Sequence, residues 1–122
     1  MSIEHLLGKL NEIPEDSCRI VWVNGREIGV VKFRDRVYAY ENRCVHQGGP
    51  VCRGEILGKL EEVLGPDRAV RAQRFSTEEL HLVCPWHGWE YNLTTGENVA
   101  DRRLRLRRYP VVVRNGDVFL VV

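Results

Sequence analysis

Two short stretches decide how this chain is read: Cys44-Val45-His46-Gln47-Gly48-Gly49-Pro50 and Cys84-Pro85-Trp86-His87-Gly88-Trp89. Each offers one thiol and one imidazole at close spacing, just past a strand-like segment. Two such loops at one end of a β scaffold can meet around a mixed-ligand metal site. Thiolate is a soft, charged ligand that suits iron–sulfur clusters or zinc, and imidazole is neutral and borderline. The glycines beside the ligands let backbone amides come close to sulfur. A Cys₂His₂ zinc site shares these ligand types, although the Cys-x-His spacing departs from the usual zinc pairs.

The rest of the chain frames these loops. It has 122 residues, 43% hydrophobic and 29% charged, which suits one compact domain. The net charge of +1 gives no global drive toward nucleic acid or membrane. No apolar run has the length of a bilayer span, and the start MSIEHLLGKLNEI lacks the pattern of a secretory signal, so the expected location is the cytoplasm. There, cysteines serve more often as thiols or metal ligands than as disulfides.

Strand-like segments dominate. Arg19–Val23 meets Asn24-Gly25 and returns through Glu27–Phe33; Val37–Glu41 follows a turn at Arg34-Asp35-Arg36. Val70–Phe75, Leu80–Cys84 and Trp89–Leu93 read as further strands. Leu104–Arg114 and Val118–Val122 close around Asn115-Gly116. Two segments carry a helical period. Residues 2–10 place Ile3, Leu6, Leu7 and Leu10 on one side. Ile56, Leu57, Leu60, Val63 and Leu64 predict a short amphipathic helix ended by Gly65-Pro66-Asp67. The expectation is an all-β domain over residues 1–122, with a helical insertion at about 53–76 that packs its apolar stripe on the sandwich.

Cys-x-His followed by Cys-x-x-His, each trailed by glycine, resembles the Rieske family, and the likeness extends from about Arg19 to Val122. It implies a Rieske-type antiparallel β-sandwich or barrel with two cluster-binding loops and one [2Fe–2S] cluster per chain. Cys44 and Cys84 would bind the buried iron; His46 and His87 would bind the outer, redox-active one. Mixed ligation of this kind raises the potential to about −150 to +300 mV, against roughly −400 mV for all-cysteine plant-type centres. Gln47, Gly48, Trp86, Gly88, Trp89 and Tyr91 would support the ligands or meet a partner.

Departures from the family pattern narrow the choice. Respiratory-chain members carry a disulfide between the loops; its cysteines would fall at Gly49 and Trp86. Their serine hydroxyl to a bridging sulfide falls at Trp89, and their tyrosine hydroxyl to a ligand sulfur is retained as Tyr91. The expected potential is therefore near the lower end of the Rieske range. Pro85–Trp89 resembles the Rieske domain of ring-hydroxylating oxygenases. Only His5 and His81 remain for a catalytic mononuclear iron, so this chain is not expected to hold one. Its size is similar to that of the small Rieske ferredoxins. These would carry one electron from a reductase to a terminal oxygenase, with no substrate, membrane or nucleic acid bound. An accessory subunit of a larger reductase, such as nitrite reductase, is the near alternative. A zinc-stapled binding module is the alternative from another class.

The remaining residues have plain expectations. Cys18 and Cys52 are expected as small buried thiols, and His5 and His81 as surface or half-buried histidines. In the run 102–108, Leu104 and Leu106 would face the core, and Arg103, Arg105 and Arg107 water.

Overall fold

The computed structural model describes residues 3–45 and 48–122. The expected ligand His46 and its neighbour Gln47 lie outside the described residues. The strands are β1 (Glu4–Lys9), β2 (Cys18–Val23), β3 (Arg26–Phe33), β4 (Arg36–Glu41), β5 (Glu55–Leu64), β6 (Val70–Val83), β7 (Glu90–Asn92), β8 (Arg108–Tyr109), β9 (Val111–Arg114) and β10 (Asp117–Val121). They form three small antiparallel sheets, ordered β1-β10-β9, β2-β3-β4-β8 and β5-β6-β7. The all-β expectation holds; among the described residues no barrel closes.

The turns explain the sheets. Asn24-Gly25 and Asn115-Gly116 both take positive φ at each central residue, the geometry that matches strand twist in a two-residue hairpin. Arg34-Asp35 does the same without glycine. Strand β3 is central, and Ile28, Val30 and Val31 are buried along it. Lys32 is also buried there, because its Nζ donates to the Leu10 carbonyl at 2.9 Å.

Both helical expectations fail. Residues 4–9 pair with β10, Glu4 opposite Val121 and Leu6 opposite Phe119. Gly8, at φ 134, sits at a bulge in this strand. Glycine disfavours a helix interior by about 1 kcal/mol, and so short a segment gains more from an open sheet edge. Leu7 and Leu10 pack on the core, whereas Leu6 is exposed.

The insertion is a long hairpin rather than a helix. Leu60 faces Phe75, Glu61 faces Arg74 and Val63 faces Ala72. Its turn is closed by Gly65 N–H donating to the Ala69 carbonyl at 2.9 Å. Leu60, Val63, Leu64 and Phe75 are exposed, so the apolar stripe does not cover the sandwich; only the base, through Ile56, packs on the core. Cross-strand pairing with β6 satisfies every second backbone group over this length, and that outweighs the helical period.

The expected strand Leu104–Arg114 is split. Tyr109 pairs with Ala39 in one sheet, and residues from Val111 pair with β10 in another. Pro110 stands between them and has no N–H for either ladder. Leu106 is buried as expected, and Arg103, Arg105 and Arg107 are exposed. Leu104 is exposed too, contrary to its expected place in the core.

Cys18 and Cys52 are not thiols: they form a disulfide across 34 residues of sequence. It ties β2 to the 3₁₀ turn Val51–Arg53 that follows the first loop. Gly29 makes room for it, since a Cβ there would lie 2.9 Å from the Cys18 sulfur and 3.1 Å from that of Cys52. Replacing both cysteines with serine is expected to cost about 2–4 kcal/mol of stability, mainly by freeing the unfolded chain. Urea unfolding of the double variant against the oxidised parent measures it; equal midpoints would refute the disulfide's stabilising role.

Candidate metal centre

The two loops are built alike. Cys44 N–H donates to the Gly49 carbonyl at 2.8 Å, and Gly48 N–H returns to the Cys44 carbonyl at 2.8 Å. Cys84 N–H donates to the Trp89 carbonyl at 2.8 Å, and Gly88 N–H returns to the Cys84 carbonyl at 3.2 Å. Each cysteine thus starts a compact loop that folds back on its own backbone. Gly48 (φ 77) and Gly88 (φ 69) take the left-handed backbone that these returns require. His87 takes it as well, at φ 69, which is uncommon for a side chain with a Cβ. The strain turns the residue to the exposed tip of the loop.

The cysteines lie beneath. Cys44 and Cys84 are each 1% exposed and share one core cluster with Tyr91, Leu82 and Leu93. Neither is in a disulfide, yet they are close enough to interact directly. The Tyr91 hydroxyl, fully buried, lies 3.0 Å from the Cys44 sulfur. Burial pushes the Cys84 thiol above its ordinary range; the backbone N–H of Trp86 opposes this and the contact with Cys44 adds to it. Burial likewise raises Tyr91, so its hydroxyl keeps its proton and can donate to sulfur.

Gly49 decides how closely the loops meet. A Cβ at this position would lie 2.7 Å from the Cys84 sulfur and 2.9 Å from Trp86 Cγ. Its absence leaves space between the loops against a buried sulfur. Two adjacent buried sulfurs can both ionise only beside a compensating cation, because desolvation otherwise keeps them neutral. Paired buried sulfurs, the Trp86 amide against that of Cys84 and an exposed imidazole on the second loop fit an iron–sulfur group.

The match to known families agrees. The family model for the Rieske [2Fe-2S] domain matches residues 4–110. This chain belongs to the Rieske [2Fe–2S] domain family. Its cofactor is therefore a [2Fe–2S] cluster. The Rieske domain is 25% identical over 112 residues, covering 91% of this chain and 88% of the relative, to the ferredoxin component of a naphthalene 1,2-dioxygenase/salicylate 5-hydroxylase system from Ralstonia sp. It superposes on the ferredoxin of carbazole 1,9a-dioxygenase from Nocardioides aromaticivorans with TM-score 0.70 and 24% identity, covering 96% of this chain and 95% of that one. It also superposes on a structure named as an NADH-dependent nitrite reductase small subunit from Mycobacterium tuberculosis, with TM-score 0.72 and 15% identity over 100% of this chain and 96% of that one.

The structure thus brings together Cys44, Cys84, Tyr91 and the backbone of Gly48 and Gly88. It separates the two tryptophans: Trp89 packs on the core, whereas Trp86 is 48% exposed beside Gly49. His81 departs from its expected exposure. It is buried, with Nε2 2.6 Å from Glu79 and Nδ1 3.1 Å from Glu90. Gly49 as a spacing device escaped the sequence reading, since its neighbours are set by the other loop. The Gly49→Ala variant is expected to lose about 1–3 kcal/mol by overpacking and to retain less iron. Denaturant unfolding and iron per chain check this; full stability with full iron would refute the close approach.

Proposed function

We propose that this Rieske domain, residues 1–122, is a one-electron carrier that receives electrons from a reductase and passes them to a terminal oxygenase. The arrangement that carries the reading is a pair of buried cysteine sulfurs, one of them on the same short loop as an exposed histidine. In this reading Cys44 and Cys84 hold the inner iron, and His46 and His87 the outer one. The cluster supplies a centre that gains and loses one electron. The chain's own residues set where and how readily that happens. Cys44 and Cys84 contribute negative charge inside the core. Tyr91 donates to the Cys44 sulfur and favours the more negative state. His87 brings the outer ligand to the surface, so a partner needs no cavity to reach it. No substrate bond is made or broken on this chain in this reading, and its partners are proteins in the cytoplasm. Among the described residues, no helix is long and apolar enough to cross a membrane.

The relative from Ralstonia sp and the Nocardioides aromaticivorans structure, both named as dioxygenase ferredoxins, support this reading. The nitrite reductase small subunit shares the fold, which keeps a permanently bound accessory subunit as the second reading. A stable isolated chain with a reversible one-electron titration favours the carrier. Co-purification with a large flavin or haem subunit favours the second.

Metal analysis is the primary test. The carrier requires iron and acid-labile sulfide in equal amounts, with nitrogen hyperfine coupling from imidazole in the reduced EPR spectrum. Zinc without iron or sulfide would overturn it. A second test uses Tyr91→Phe, which keeps the ring and removes the donor. A hydrogen bond to a charged group contributes about 1 kcal/mol or more differentially. For one electron that is roughly 40 mV. The midpoint potential is expected to fall by that order with the visible spectrum retained; an unchanged potential would remove Tyr91 from the control of redox.

A further inference from the structure

Charge is distributed unevenly around the tip where His87 is exposed. Two clefts flank the first loop. One is lined by Arg43, Arg105 and Arg107 with Glu41, Val45 and Gly48. The other joins Arg43 and Gly48 to Arg26 and Trp22, with Glu27, Glu41 and Asn42. The arginines are all exposed. Glu27 is engaged by the Asn42 amide at 3.1 Å, and Arg105 reaches Glu97 only at 3.8 Å. Arg107 stacks on Tyr109 at 5.3 Å, which fixes its position without neutralising it. The second loop has the opposite flank: Glu55 and Glu90 stand on either side of Val83, just before Cys84. Glu90 is held there by His81. The chain as a whole has a net charge of only +1, so this polarity is local.

Apolar groups lie on the same tip. Trp22 is 67% exposed, Trp86 48% and Val45 45%. An exposed tryptophan beside arginines, next to a group that must exchange electrons, has the composition of an interface core and rim. We infer that the first-loop side of the tip docks an acidic protein face, with Trp22 and Val45 taking its apolar contact and Arg26, Arg43, Arg105 and Arg107 its carboxylates. Glu55 and Glu90 then repel that face on the far side and set its orientation. This inference rests on the electron-carrier reading.

Small charged oxidants read the sign of the tip. The reduced holoprotein is mixed in stopped flow with ferricyanide, an anion, or tris(phenanthroline)cobalt(III), a cation, across a salt series. With ferricyanide the rate is expected to fall as salt rises, on the order of tenfold, and with the cobalt complex to rise. Charge reversal at Arg43→Glu, Arg105→Glu and Arg107→Glu should invert both trends; the three Arg→Gln changes should flatten them if reversal impairs folding. For Trp22, the probe is cytochrome b5, whose haem edge is acidic. Trp22→Ala is expected to slow its reduction several-fold and leave the ferricyanide rate unchanged.

Iron content and EPR are measured first. A chain that assembles no cluster fails as an electron carrier and takes this inference with it. A loaded chain that prefers the cationic oxidant, or shows no salt dependence with either, overturns the acidic-partner inference alone. An unchanged cytochrome b5 rate in Trp22→Ala removes that residue from the docking face.

Discussion

The structure depends on bringing two thiol sulfurs together inside a small core without bonding them. Cys44 and Cys84 come from loops 40 residues apart in sequence and end up buried against each other and Tyr91. Such a pair is tolerable as anions only next to a compensating cationic group. Everything around it serves that closeness. Each cysteine folds its loop back on its own amide, and Gly49 removes a side chain that would stand between the loops.

The sheets supply the rigid mount. The first loop leaves β4, where Tyr40 locks the strand to the far side of the core by donating to the Leu93 carbonyl at 2.7 Å. The second loop connects β6 to β7, the shortest strand of its sheet, whose Tyr91 points back at Cys44. The first loop is also fixed from behind. The Cys18–Cys52 disulfide anchors the turn that follows it, and the Asn42 carboxamide accepts from the Cys52 N–H at 2.6 Å. A bond between positions 49 and 86 would brace the loops at the tip. Here the brace lies at the base, and the tip is left to Gly49 and an exposed Trp86.

That placement has a consequence for partners. Trp86, Val45 and His87 are exposed on the same two loops whose cysteines are buried. Arginines line the cleft beside the first loop, and Glu55 and Glu90 flank the strand residue before Cys84. The long hairpin β5–β6 stands away from the sandwich, its outer half held by cross-strand pairing and an Arg74–Glu61 ion pair at 3.2 Å, while its apolar side chains stay in water.

The sequence by itself determined the two cysteine–histidine loop motifs, the hairpin turns and the all-β class. These are local facts: Cys-x-His and Cys-x-x-His need no partner to be legible, and Asn-Gly takes positive φ wherever strands meet it. Tertiary structure decided what local patterns leave open. The helical period of residues 56–64 lost to pairing with β6, and residues 4–9 became a strand because β10 offered an edge. Pro110 divided one expected strand between two sheets. Cys18 and Cys52 formed a disulfide because folding, not spacing, set them side by side over Gly29. The role of Gly49 and the one-sided ring of arginines were likewise invisible, since each depends on what another part of the chain places a few ångströms away.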